Sequence, residues 1–198
     1  MKTIVIATNH KNKVYEFKSL LGNSDIEFKT LKEIGYDKDI VEDGKTFIEN
    51  AYIKASTVAR DLGLIAIADD SGLSCDGLNG EPGIYSARYA GTHNDKDNNE
   101  LLIKNLKNIE NRNAHYTCAI SLCYPDGKHI EVEEYCYGII HDIPKGSNGF
   151  GYDPYFYIPE FGATFAEVPL EKKNTISHRS KAIKALKEKI NEDFTIKW

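Results

Sequence analysis

Short apolar runs alternate along the chain with stretches in which apolar side chains recur every three or four residues, and the two patterns predict different elements. Lys2 to Ala7 reads as a first strand, and Val14, Phe17, Leu20 and Leu21 recur at helical spacing directly after the loop around Asn9. Ile26 to Leu31 is a second short strand. From about Lys45 to Leu62, Phe47, Ala51, Ala55, Val58 and Leu62 share one face of a helix. The run Leu64-Ile65-Ala66-Ile67-Ala68 reads as a buried strand that ends at Asp69-Asp70 and runs out into a polar, glycine-rich loop from Gly72 to Gly91. Asn94 or Asp95 is placed to cap a helix bearing Leu101, Leu102, Leu106 and Ile109.

Ala114 to Tyr124 and His129 to Ile140 flank Pro125-Asp126-Gly127, which is a hairpin signal. A second glycine loop, Gly146 to Gly151, leads into the short strand Tyr155 to Ile158. The last helix, from about Ser177 to Asn191, turns Ala182, Ile183, Leu186 and Ile190 to one side. Strands and helices alternate early and a hairpin comes later, so the pattern predicts an α/β fold with a mixed sheet. No repeat, low-complexity tract or linker interrupts it.

Composition narrows the classes of partner. A chain of 198 residues suits one domain, or two lobes sharing a sheet. A net charge of −5 argues against a nucleic-acid polymer or a membrane surface as partner, though a small polyanion still fits a local basic pocket. The apolar start of the chain is too short for a signal or spanning segment, and no other stretch approaches membrane length, so the cytoplasm is expected. Cys75, Cys118, Cys123 and Cys136 form no Cys-x-x-Cys pair. Three of them lie in strand-like stretches, so reduced structural thiols are expected and a zinc site is not.

Several residues break the pattern. Asp69 and Asp70 repel one another unless a cation or a shared proton offsets them. They read either as a metal and catalytic pair at a strand end or as a solvated Asp-Asp-Ser-Gly turn. Lys54 projects within about 20° of Phe47 and 40° of Val58, inside its helix's apolar arc. It either snorkels to the rim or points at phosphate or at the Asp69-Asp70 pair. Thr8-Asn9-His10-Lys11-Asn12-Lys13 joins a strand to a helix start, where backbone N–H groups beside lysines suit an anion; a plain helix cap is the alternative. Glu42-Asp43 are either acids before a helix or, with Asp69-Asp70, part of the carboxylate-and-water set that suits Mg²⁺. His178 and Arg179 follow Ser177 in a helix's first turn, where cations oppose the dipole; a ligand with acceptor atoms or exposure to solvent accounts for them.

Together these segments resemble the inosine triphosphate pyrophosphatase family over nearly the whole chain. The resemblance runs through Ile6-Ala7-Thr8-Asn9 with Lys11, Lys13 and Glu16, then Gly44-x-Thr46-Phe47-x-Glu49-Asn50-Ala51 with Lys54-Ala55, and Ala68-Asp69-Asp70-Ser71-Gly72-Leu73. It continues through Pro82 to Tyr89, Gly149-Phe150-Gly151-Tyr152-Asp153-Pro154, Glu171-Lys172-Lys173 and Ile176-Ser177-His178-Arg179. One departure is Thr8-Asn9-His10 where the family carries Thr-Gly-Asn.

The resemblance implies an elongated mixed sheet flanked by helices, one domain over residues 1–198 whose two lobes surround a central cleft, working as a homodimer. It implies Mg²⁺-dependent hydrolysis of ITP, dITP and XTP, non-standard purine nucleoside triphosphates, to the monophosphate and diphosphate. Carried over by position, Thr8, Asn9, His10, Lys11, Asn12, Lys13, Lys54 and Ser71 surround the triphosphate. Asp70 is the base, with Lys54 beside it, and Glu42 and Asp70 hold the metal, a role Asp69 can share. Phe150, Gly151, Tyr152, Asp153, Lys173, His178 and Arg179 hold the purine. A nucleotide sensor on the same fold, or a pyrophosphatase for standard purine or pyrimidine triphosphates, are the competing readings; retention of Glu42, Asp69 and Asp70 disfavours the sensor.

Overall fold

A computed structural model describes residues 2–22 and 26–192. Seven strands, β1 (Lys2–Ile6), β2 (Ile26–Thr30), β3 (Ile65–Cys75), β4 (Asn113–Cys123), β5 (His129–Ile140), β6 (Phe156–Ile158) and β7 (Ala163–Thr164), form one sheet in the order β2-β1-β3-β4-β5-β6-β7. β1 runs parallel to both neighbours, with Ile4 opposite Phe28 on β2 and Ile65 on β3. β6 runs antiparallel to β5 and β7, so the sheet is mixed, as the alternation of elements predicts. The helices are α1 (Lys11–Leu21), α2 (Phe47–Leu62), α3 (Asp95–Asn105), α4 (Leu170–Lys173) and α5 (His178–Glu192).

The chain divides into two compact units, each taking part of β3, β4 and β5. The first comprises the described residues up to Asp70, Cys118–Glu134 and those from Ser180 onward. Here β1 and β3 are covered on both faces, which is why they read as unbroken apolar runs rather than alternating ones. Ile4, Ile6 and Ile67 pack with Phe17 and Leu21 of α1 and with Ile183, Leu186 and Ile190 of α5. Val5, Ala66 and Ala68 pack with Ala55, Val58 and Ala59 of α2. Thr46 caps α2 by accepting the Glu49 N–H at 3.2 Å, while Glu49 Oε2 accepts the Lys45 N–H at 2.6 Å, so the two reciprocally fix where the helix starts.

The second unit comprises Ser71–Thr117 and Tyr135–Arg179. Its core gathers Leu73 and Cys75 of β3, Leu102 of α3, Tyr116 of β4, Phe156 of β6 and Phe165. Asn94 caps α3 by accepting from the N–H groups of Lys96 and Asp97. The hairpin turn before β5 closes as expected, with the Gly127 N–H bonded to the Tyr124 carbonyl at 3.1 Å.

β3 is longer than its apolar run suggests. It does not end at the carboxylates but runs on through Asp69, Asp70, Ser71 and Gly72 to Cys75. Asp69 is carried inside the sheet by an ion pair with Lys13, and Leu73 and Cys75 re-enter an apolar core beyond it. The polar and glycine residues between the two cores hide a continuous strand from any hydropathy pattern. Cys75 therefore also lies on a strand, and all four cysteines are buried thiols. The loop that follows is folded into short 3₁₀ turns at Asp76–Leu78 and Gly83–Arg88. Ile109 lies beyond the end of α3, and α4 and β7 are elements that the apolar pattern does not signal.

Candidate active site

In the first unit, lysines from α1 and α2 converge on the carboxylates of β3 and of the segment before α2. Lys13 Nζ lies 2.9 Å from Asp69 Oδ2, and the Asp69 carboxylate is fully buried. Lys54 Nζ lies 3.0 Å from Glu42 Oε2. Burial pulls the Lys54 ammonium toward neutrality, but the charges of Asp70, Asp69 and Glu42 outweigh it and hold its pKa above the usual lysine value. Lys54 is thus aimed at carboxylates, and snorkelling does not account for it. Burial pushes the Asp70 carboxyl up and Glu42 adds to this, while Lys54 and Lys13 oppose.

One residue here carries a role that the apolar pattern does not mark. Asn50, buried on α2 four positions before Lys54, donates from Nδ2 to Asp70 Oδ2 at 3.2 Å. Its Oδ1 accepts the Gly44 N–H at 2.9 Å, so one amide links the Glu42-Asp43-Gly44 segment to Asp70. At about 100° per residue Asn50 projects about 60° from Phe47 and about 40° from Lys54, beyond the edge of the helix's apolar arc, so periodicity alone does not single it out. A side chain on Gly44 would strike this amide, since a Cβ there would stand 2.6 Å from Asn50 Oδ1.

The loop before α1 is shaped by its own hydroxyl. Thr8 Oγ1 accepts the His10 N–H at 3.2 Å. His10 takes the N-cap position of α1 in an extended conformation, without a side-chain capping bond. Asn9, His10, Lys11 and Asn12 are exposed, and Thr8 and Lys13 half-buried.

In the second unit, the purine residues of the sequence reading fall into one buried polar cluster and the loop above it. Lys173 Nζ lies 2.6 Å from Asp153 Oδ2, and both side chains are more than nine-tenths buried. Asp153 also accepts from Tyr116 Oη at 3.1 Å and from the Phe150 N–H at 3.2 Å. The Lys173 ammonium stands 5.2 Å from the Phe150 ring centroid and 5.1 Å from that of Phe165, so two aromatic faces share its charge with the carboxylate. Burial, then the Asp153 charge, drive the Tyr116 hydroxyl far above its ordinary pKa and keep it a donor. His178 stacks on Tyr116 at 4.7 Å with 13° between the rings. Arg179 is buried and donates to Ser71 Oγ at 3.4 Å. Neither points to solvent. Tyr116 is the residue missed here; its strand position reads as core, and only the sum of its neighbours marks it.

Among the described residues no group of three or more His, Cys, Asp or Glu side chains gathers as a metal cage. The donor set of Glu42 and Asp70 fits Mg²⁺ all the same. That ion is ordinarily held by one or two carboxylates, with water and phosphate oxygens completing its octahedron.

A sequence profile of the Ham1 family matches residues 4–189. The dITP/XTP pyrophosphatase of Listeria innocua serovar 6a is 48% identical over 195 residues, spanning 97% of this chain and 96% of its own. That of Clostridium perfringens is 45% identical over 199 residues, spanning 96% of this chain and 98% of its own. Among solved structures, the Staphylococcus aureus Ham1 protein matches with a TM-score of 0.90 at 42% identity, covering 97% of this chain and 100% of that one. The nucleoside-triphosphatase / dITP/XTP pyrophosphatase of Mycobacterium abscessus matches with a TM-score of 0.79 at 38% identity, covering 93% and 98%.

Proposed function

The chain belongs to the Ham1 family, and from that premise we propose that it is a Mg²⁺-dependent pyrophosphatase of non-standard purine nucleoside triphosphates. Its substrates are ITP, dITP and XTP, which it clears from the nucleotide pool by hydrolysis to monophosphate and diphosphate. The observation that carries the reading is the set of two lysines, Lys13 and Lys54, held by the carboxylates of Asp69 and Glu42 with Asp70 beside them. Relatives named for this activity, matching over nearly their whole length, supply the substrate class. In keeping with that full-length match, residues 1–198 act as one domain of two lobes. The family resemblance supports a homodimer in the cytoplasm. Among the described residues no helix is long and apolar enough to cross a membrane.

Lys13 and Lys54 turn from their carboxylate partners to the phosphate oxygens, with the loop from Thr8 to Asn12 and Ser71 around the rest of the triphosphate. Asp70 accepts the proton of a water whose oxygen bonds to the α-phosphorus; the bond from that phosphorus to the bridging oxygen breaks and diphosphate leaves. Asn50 fixes the orientation of the Asp70 carboxylate for this step. Mg²⁺ held by Glu42 and Asp70, with Asp69 able to share, would neutralise charge on the phosphoryl oxygens. Phe150 offers a stacking face to the purine, and Gly151, Tyr152, Asp153 and Lys173 hold that face in place. Arg179 and His178 present N–H donors to the 6-oxo group of hypoxanthine or xanthine.

Incubation of the protein with Mg²⁺ and a panel of nucleoside triphosphates, with orthophosphate and diphosphate separated, tests the assignment. ITP and XTP are expected to yield diphosphate, and oxygen from labelled water is expected in the monophosphate. Orthophosphate as first product, with nucleoside diphosphate left behind, would rule the reading out.

A further inference from the structure

The segment from Pro82 to Asn99 has no part in the chemistry above, yet its hydrogen bonds end on the loop that carries Phe150. Asp95 Oδ2, on the first turn of α3, accepts the Gly151 N–H at 2.8 Å. One helical turn on, Asn99 Nδ2 donates to the Gly151 carbonyl at 2.9 Å. The same residue of the loop is therefore clasped at its N–H by one side chain of α3 and at its carbonyl by another. Asn99 is itself held, since Nδ2 also donates to the Asp95 carbonyl at 2.9 Å.

The residues on either side of Gly151 are fixed as well. Tyr152 Oη donates at 2.6 Å to the carbonyl of Ser86, whose own hydroxyl accepts the Leu73 N–H of β3 at 2.9 Å. Gly149 has φ +73°, and a Cβ there would strike Asp153 Oδ2. Phe150 lies between these anchors with little backbone freedom left to it. α3 is in turn tied to the same 3₁₀ turn through Asn98, which accepts from the Ala90 N–H at 2.8 Å and donates to the Ala87 carbonyl at 3.1 Å.

We propose that Asp95 and Asn99 are positioning residues for purine binding: by clasping both polar groups of Gly151 they set where the Phe150 ring stands. They touch no reacting atom, so their effect is on base capture rather than on the bond broken. The inference rests on the reading of the Phe150 loop as the purine's seat. It differs from a general structural role, because Asp95 is exposed and buries nothing of its own.

Steady-state kinetics with ITP on Asp95→Ala, Asp95→Asn and Phe150→Ala, together with amide hydrogen exchange over residues 149–152, test it. Asp95→Ala is expected to raise KM about 5-fold, the worth of one ordinary hydrogen bond, with kcat within about twofold. Its exchange over 149–152 is expected to quicken. Asp95→Asn keeps an acceptor oxygen for the Gly151 N–H but drops the charge facing the helix N-terminus, so it is expected to restore wild-type KM and exchange. Phe150→Ala is expected to raise KM more than Asp95→Ala does. A raised KM in Phe150→Ala beside an unchanged KM in Asp95→Ala overturns the inference alone, as does an Asp95→Asn variant no better than Asp95→Ala. Unchanged KM in Phe150→Ala overturns the reading of the loop and takes the inference with it.

Discussion

At the scale of single residues, Asp70 combines burial, an amide partner and two nearby ammonium groups, and these pull in opposite directions. Burial disfavours its charge while Lys54 and Lys13 favour it, and the balance leaves the carboxyl easier to protonate than an ordinary aspartate. A carboxyl whose pKa is raised by folding costs the folded state when it ionises, so replacing it with a neutral amide of the same shape does not of itself weaken the fold. Asp70→Asn is therefore expected to unfold within about 1 kcal/mol of wild type, because an amide still bonds Asn50 and Lys54 keeps its pair with Glu42. Its activity is another matter. An amide accepts no proton from water and offsets no metal charge, so kcat is expected to fall by about 10²–10⁴. Urea unfolding read beside initial rates checks both halves, and a variant that keeps more than half of wild-type kcat removes Asp70 from the mechanism.

At the scale of elements, the loop from Gly149 to Asp153 shows how backbone conformation and side-chain chemistry depend on one another. Gly149 stands at φ +73° with Asp153 Oδ2 in the space a Cβ would fill, and that oxygen is the one bonded to Lys173. Gly149→Ala is expected to lose at least about 1–2 kcal/mol from the left-handed conformation alone, and more from pushing Asp153 off its cation, as a lowered Tm. A Tm within about a degree of wild type would show that the loop relaxes around the added methyl at no cost. What the sequence makes legible differs by element for physical reasons. β1, α1, α2 and the β4–β5 hairpin announce themselves because each buries apolar residues at one clear period. Lys54 stands out against such a period, whereas Asn50 is marked only once the burial of α2 is known. The continuation of β3 is hidden because Asp69, Asp70, Ser71 and Gly72 break the apolar run, and their placement is decided by long-range partners such as Lys13 and Arg179. The roles of Asp95 and Asn99 are hidden for the same reason: a clasp on a backbone group 56 and 52 residues away leaves no local pattern.

At the scale of the whole molecule, the first unit carries the lysines and carboxylates and the second the aromatic loop, His178 and Arg179. Phosphates are common to every nucleoside triphosphate, whereas the base is what tells ITP from ATP. The two groups of residues should therefore be separable by kinetics. Lys54→Met keeps the alkyl packing of α2 and loses the cation, so it is expected to lower kcat/KM for ITP, GTP and ATP by one common factor. Arg179→Ala acts on a different quantity. If Arg179 reads the base as proposed, its N–H donors would meet an acceptor in a 6-oxo purine but another donor in adenine, and a buried polar group left unpaired costs about 1–3 kcal/mol, or roughly 5- to 150-fold in kcat/KM. Removal of Arg179 should thus shrink the preference for ITP over ATP. It should leave the ratio of ITP to GTP nearly unchanged, because guanine also carries a 6-oxo group. The double variant should show the product of the two effects, the Lys54 factor on every substrate and the Arg179 change in the ITP-to-ATP ratio alone. An ITP-to-ATP ratio untouched by Arg179→Ala would show that Arg179 does not read the base. A Lys54→Met effect that depends on the base would show that this lysine does more than bind phosphate.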